Sequence, residues 1–238
     1  MRRFAVIAIF LAAFLGLVPT MLFAASIPVL IVDGRSNHDW ASITPVLKHQ
    51  LELTGLFAVD VATAPQKNKE MQGFAPDFYK SRVVVLNYTD FGNGGAWPKS
   101  SREAFVDYVS SGGGVVVFHA SSSAFPEWKQ FNQIIGLGGW GDRDENSGPY
   151  VYFKDGKQVA DHSPGLAGHH GPRHPFEIVV RDKNHPITKG LPSTWMHPSD
   201  ELYDHLRGPA KNLTVIATAY SVPKFSGTSH DEPVLFTI

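Results

Sequence analysis

From Ile27 onward the chain alternates short apolar runs with amphipathic stretches, the rhythm of βαβ units built around a mainly parallel sheet. PVLIVDG, Pro28 to Gly34, reads as a first buried strand. In the following DWASITPVLKHQLELTG, residues Ile43, Val46, Leu47, Leu51 and Leu53 fall on roughly helical spacing, with Asp39 or Ser42 as the cap and Gly55 as the stop. Phe57 to Ala62 predicts a second strand, Arg82 to Leu86 a third, Ser101 to Ser110 a helix and Gly114 to Phe118 a fourth strand. Past Gly148 the rhythm changes. PYVYFKDGKQVAD predicts a hairpin turning at Asp155-Gly156, and Phe176 to Val180, Leu213 to Tyr220 and Glu232 to Ile238 predict further strands.

The first 26 residues stand outside this pattern. Arg2 and Arg3 give a positive start, Phe4 to Val18 an apolar run and Ala24-Ala25-Ser26 a small-residue end, the layout of a secretory signal peptide. The mature domain is then expected to span 27–238, in the periplasm or outside the cell. The alternative is an uncleaved N-terminal membrane anchor; neither is cytoplasmic. The other end stops inside an apolar, strand-like run at Ile238, which suggests a C-terminally truncated domain.

Charge changes the picture little: 21 Lys+Arg face 22 Asp+Glu with no long run of one sign, so nucleic acid is a poor expectation as partner. Histidine and cysteine change it more. Eleven histidines and no cysteine offer imidazole for acid-base or metal chemistry, and exclude thiolate nucleophiles, disulfides and cysteine zinc sites. Two glycine-rich stretches, GNGGAW from Gly92 and GLGGWGDRD from Gly136, lack the strand-to-helix placement and the lysine of a phosphate loop and read as turns.

In open parallel sheets, ligands bind beyond the carboxyl ends of the strands. The loops there are polar: Arg35, Asn37, His38 and Asp39 after the first strand, Asn87 and Asp90 after the third, His119 and Ser121 to Ser123 after the fourth. Asn37, Asp39, Asp90 and the serines have an ordinary use as helix caps or turn formers. His38 and His119 are not favoured caps. His119 directly follows residues expected to be buried, so its ring nitrogens need partners, in a core or in a site. Downstream, GHHGPRHPF and MHPSDELYDHL add His169, His170, His174, His197, Asp200, Glu201 and His205. Their spacing does not fit the helical His-Glu-x-x-His motif, yet loop histidines still ligate a metal where the fold gathers them.

The series VLIVDGRSNHDW, GGGVVVFHASSSAFPEW, HPITKGLP and DELYDHLRGPAKNLTVIATAY, running from Val29 to Ile238, resembles the ThuA-like family, the trehalose-utilisation proteins of bacteria. The resemblance implies a flavodoxin-like, class I glutamine amidotransferase-like three-layer sandwich with a mainly parallel sheet and an inserted hairpin. It places His119 at the strand-to-helix elbow where amidotransferases carry a nucleophilic cysteine. Amidotransfer by a thiolate is impossible without cysteine, leaving His119 as a base, a metal ligand or a substrate contact.

The same resemblance implies disaccharide catabolism through 3-keto sugars, with functional pairing to a sugar 3-dehydrogenase. A carbonyl at C3 acidifies the C2 hydrogen, so a base can start elimination of the glycosidic oxygen, aided by one divalent metal on the keto oxygen. The expected catalytic set is His119, His38 and Glu201, with His38, His119 and Glu201 also as metal ligands and Arg35, Asn37, Asn87, Asp90, Ser121 and Asp200 toward substrate. Family members continue past the position of Ile238 into another strand carrying a histidine. The alternative function is a non-catalytic sugar-binding module presenting Trp40, Trp97, Trp140 and Trp195.

Overall fold

The computed structural model describes residues 25–90 and 95–238; all but the last two residues of the segment expected to be a signal peptide, and part of the turn at Gly92, lie outside the described residues. The elements run β1 (Ile27–Asp33), α1 (Trp40–Leu53), β2 (Phe57–Thr63), a single turn α2 (Asn68–Met71), β3 (Val83–Leu86), α3 (Lys99–Ser110), β4 (Gly114–Val117), α4 (Lys129–Ile135), β5 (Tyr150–Lys154), β6 (Lys157–Asp161), β7 (His169–His170), β8 (His174–Val180), β9 (Thr194–Asp200), β10 (Tyr203–Asp204), β11 (Thr214–Tyr220) and β12 (Asp231–Thr237). Among the described residues, no helix is long and apolar enough to cross a membrane.

Strands β1 to β4 pair in parallel in the order β2-β1-β3-β4, the flavodoxin-like order. Side chains alternate across this sheet. Val29 and Ile31 join Leu47 and Leu51 of α1 in one core, while Leu30, Val32, Val84 and Leu86 join Phe105 of α3 and Phe131 of α4 in a second. A sheet between two helical layers results. Asp39 is the cap of α1, its carboxylate accepting from the Ser42 amide at 3.1 Å.

The expected hairpin β5–β6 forms, with Asp155 and Gly156 both at positive φ, as a two-residue primed turn requires. It is the edge of something larger: a six-stranded antiparallel sheet in the order β6-β5-β12-β11-β8-β9. A separate ribbon pairs β7 with β10. Leu137 and Leu206 pack with Val151 and Val215, bringing the loops after α4 and after β10 against this antiparallel sheet.

Candidate functional site

The carboxyl ends of β1 and β4 deliver two histidines to one place. Gly34 makes the first turn: its φ is +106° and a Cβ there would run into the Ala64 backbone, so only glycine carries the chain from β1 toward His38. After β4 the chain enters a short 3-10 turn whose first residue, His119, sits at φ +45°. A non-glycine residue persists in the left-handed region only where surrounding contacts over-determine it. They do here. Ser121 Oγ donates to the Leu86 carbonyl at 2.7 Å and accepts from the Tyr88 amide at 2.9 Å, and Asp90 accepts from the Phe125 amide at 2.9 Å. Arg143, buried in the second glycine-rich turn, donates to the carbonyls of Ser123, Ala124 and Gly139.

From the other half of the chain, the ribbon supplies His170 and Tyr203, directly paired across β7 and β10, and Glu201 just before β10. Three imidazole nitrogens face one carboxylate oxygen. The Nε2 atoms of His38, His119 and His170 lie 3.8, 3.7 and 3.8 Å from Glu201 Oε2. Arg173 holds the other oxygen, Oε1, through Nε and Nη2 at 3.3 and 3.2 Å. Tyr203 lies beneath: its ring stacks on His119 at 4.3 Å and its hydroxyl lies 3.4 Å from His38 Nε2. Trp140 meets Tyr203 edge-on at 4.6 Å.

Electrostatics follow from this crowding. Burial, reinforced by the neighbouring His38, pushes the His119 imidazole down to about 4, so the ring is neutral at pH 7 with a lone pair on one nitrogen. Burial raises the Tyr203 phenol further, aided by the Glu201 and Asp200 charges. For Asp200 burial acts upward, but the Glu201 amide and His197 outweigh it and hold the carboxyl below its ordinary value.

Spacing discriminates between two uses of this cluster. Distances of 3.7 to 3.8 Å are too long for hydrogen bonds. They approach the separation, about 3.4 Å, of ligand atoms arranged tetrahedrally at about 2.1 Å from an ion. His38, His119 and Glu201 are a two-histidine, one-carboxylate set whose ligand atoms lie within 4.8 Å of one another, a donor combination that suits divalent transition metals. The residues fit the expected ion, and His170 is placed to be a fourth ligand or a free base.

The remaining expected site residues are engaged with the protein. Arg35 donates to Pro65 O, Gln66 O and Asn68 Oδ1 at 2.7 to 2.9 Å, Asn87 donates to Thr44 at 3.1 Å, and exposed Asn37 accepts from Ser36. Asp200 bonds His197 at 3.2 Å and the Glu201 amide at 2.9 Å, which orients Glu201 from behind. Of the four tryptophans considered for sugar stacking, Trp97 is 1% exposed among the core aromatics. That removes it as a surface. Trp195 packs on the antiparallel-sheet core, Trp40 donates its amide to the His38 carbonyl at the start of α1, and Trp140 borders His170 and Tyr203. Nothing in the sequence assigns His170 a role or singles out Tyr203, because both lie on two-residue strands with no periodicity to mark them.

Comparison with known proteins agrees with this architecture. The sequence profile described as ThuA, trehalose utilisation, matches residues 28–237. A ThuA-like protein of solved structure from Parabacteroides merdae is 46% identical, the match covering 90% of this chain and 75% of that one with a TM-score of 0.85. A second ThuA-like protein, from Bacteroides uniformis, shares the fold at 18% identity, with 90% and 79% of the two chains covered and a TM-score of 0.58. No curated protein matches significantly. By profile and by fold, the chain belongs to the ThuA family of trehalose utilisation.

Proposed function

We propose that the protein is an extracytoplasmic carbohydrate enzyme that cleaves the C–O bond of glycosides, 3-keto-glycosides above all, at the cluster of His38, His119, His170 and Glu201. The observation that supports this reading is the convergence of three Nε2 atoms on Glu201 Oε2 at 3.7 to 3.8 Å, beyond the carboxyl ends of β1 and β4, where α/β sheets bind ligands.

His38, His119 and Glu201 would hold a divalent cation, which supplies Lewis-acid polarisation of a keto oxygen. A histidine depressed to about 4 is a weak base at neutral pH, which favours the ligand role for His119 over the base role. His170, on the more open side of the cluster with 37% of its side chain exposed, then takes the C2 proton. The electron pair left at C2 forms the enediolate and expels the glycosidic oxygen from C1, which takes a proton from water, and the hydroxide so formed takes back the proton held by His170. Tyr203 and Trp140 offer an aromatic wall against which a sugar ring can lie. A sugar 3-dehydrogenase would supply the substrate, and the signal-peptide layout of residues 1–26 supports a reaction outside the cytoplasm.

A second reading, a sugar-binding module without catalysis, draws on the same aromatic pair. The deciding experiment is release of free sugar from 3-keto-trehalose by the metal-loaded protein, with and without chelator, beside His170→Gln and His119→Asn. Turnover abolished by chelator and reduced at least a hundredfold in both variants supports the lyase. Sugar binding with no turnover by folded protein overturns it in favour of the module.

A further inference from the structure

On a two-residue ribbon, neighbouring side chains point to opposite faces. His170 and Tyr203 face the elbow; the other cross-strand pair, His169 and Asp204, faces away from it. Asp204 is fully buried. Its Oδ1 accepts from His169 Nδ1 at 2.9 Å and from His205 Nδ1 at 2.7 Å, and its Oδ2 accepts from Ser221 Oγ at 3.0 Å. His205 folds back onto the carboxylate of the preceding residue because its backbone is left-handed, at φ +54°, and Tyr150 stacks on its ring at 5.0 Å.

We infer that His169, Asp204 and His205 form a second divalent-cation site, structural in role, independent of the elbow cluster and of the function proposed for it. Three observations carry this. The ligand atoms lie within 4.8 Å of one another, and two imidazole nitrogens converge on one oxygen with separations of 2.7 and 2.9 Å. In the metal-free protein these contacts are hydrogen bonds; an ion replacing the two N–H donors needs them to open only to about 3.0 Å, the edge of an octahedron with bonds of about 2.1 Å.

A second buried carboxyl group adjoins the cluster. Glu232, also fully buried, lies behind Tyr150, with Oε1 accepting from Tyr150 and Thr228 and Oε2 buried without a hydrogen-bond partner among the described residues. No lysine or arginine forms an ion pair with Asp204 or Glu232 among the described residues; the ion-pair partners of Asp204 are the two histidines. Finally, the site is accessible: the His169 and His205 side chains are 44% and 42% exposed. An ion taken up through the two Nδ1 atoms would take the place of the protons they share with Asp204. The cation would tie the β7–β10 ribbon to β11 and β12 through Asp204 and Ser221.

Zinc stoichiometry and affinity, measured by calorimetry on the full, untagged chain, test the inference, with Co²⁺ absorption as a spectral signature and the Zn²⁺-induced shift in Tm as the structural readout. His205→Asn tolerates the left-handed backbone, and His169→Gln changes a half-exposed side chain; circular dichroism checks that both fold. Each should weaken one class of Zn²⁺ site at least tenfold, and the pair together should lose one ion per chain and the Tm rise it gives. In His38→Asn/His119→Asn that ion should remain. A wild type that binds one ion, lost only in the His169/His205 variants, supports the second site and removes the metal from the elbow. Stoichiometry, affinity and Tm shift unchanged in His169→Gln/His205→Asn, or no binding by the wild type, overturn it.

Discussion

The imidazole of His119 lies on the phenol ring of Tyr203, centroids 4.3 Å apart and planes at 26°. This contact joins the parallel-sheet elbow to the β7–β10 ribbon, so the two halves of the site hold one another in place. The same ring touches Trp140 and His170. Truncation to Tyr203→Ala should therefore cost about 3 kcal/mol of stability, as for other large-to-small aromatic changes, and lower kcat/KM for the keto-sugar by at least tenfold. Tyr203→Phe keeps the ring and loses only the long hydroxyl contact to His38. It should stay within about 1 kcal/mol of wild type. Chemical denaturation and the sugar-release assay read both.

A second prediction concerns the elbow backbone. His119 occupies φ +45°, which asparagine tolerates and a β-branched residue resists. His119→Val should be less stable than His119→Asn by about 1–3 kcal/mol, although both lack the imidazole. Equal denaturation midpoints for the two variants would show that the elbow relaxes.

The contrast between these residues and the rest of the polar loops shows what the sequence makes legible. Strands β1 to β4, the Asp39 cap and the Asp155-Gly156 turn are local signals, and each is where its residues predict. His38 and His119 stand out for a related reason: they follow buried strands and suit no cap. Arg35, Asn87, Asp90 and Ser121 occupy the same loops, and nothing local tells that backbone and neighbouring side chains consume their hydrogen bonds. His170 and Tyr203 were out of reach, since their pairing joins two-residue strands more than thirty positions apart. The antiparallel sheet was only partly legible, because alternation predicts strands without their partners.

Those consumed groups yield a third prediction. Asp90 accepts from the Phe125 amide, and Arg143 binds the neighbouring carbonyls. Asp90→Ala leaves the buried Phe125 amide unpaired, which should cost about 1–3 kcal/mol. Loss of activity should track loss of folded protein. If Asp90→Ala were as stable as wild type but raised KM selectively, Asp90 would be a substrate contact.

The last prediction is a pH dependence of stability centred on Glu232. Burial, partly opposed by the bonds from Thr228 and Tyr150, raises its carboxyl to about 7, against an ordinary value of 4.5 in the unfolded chain. Between these values the folded state carries a proton that the unfolded state has lost. Stability contributed by this group therefore falls as pH rises from 4.5 to 7, is unaffected below that window, and stays reduced above it. The full drop is about 3 kcal/mol. Glu232→Gln keeps an acceptor for Tyr150 and Thr228 but cannot titrate, so its stability should lack this fall. Urea midpoints of chelator-treated wild type and Glu232→Gln, compared at pH 5 and pH 8, measure the difference directly. Parallel changes in the two proteins would mean that Glu232 stays in one protonation state across the window.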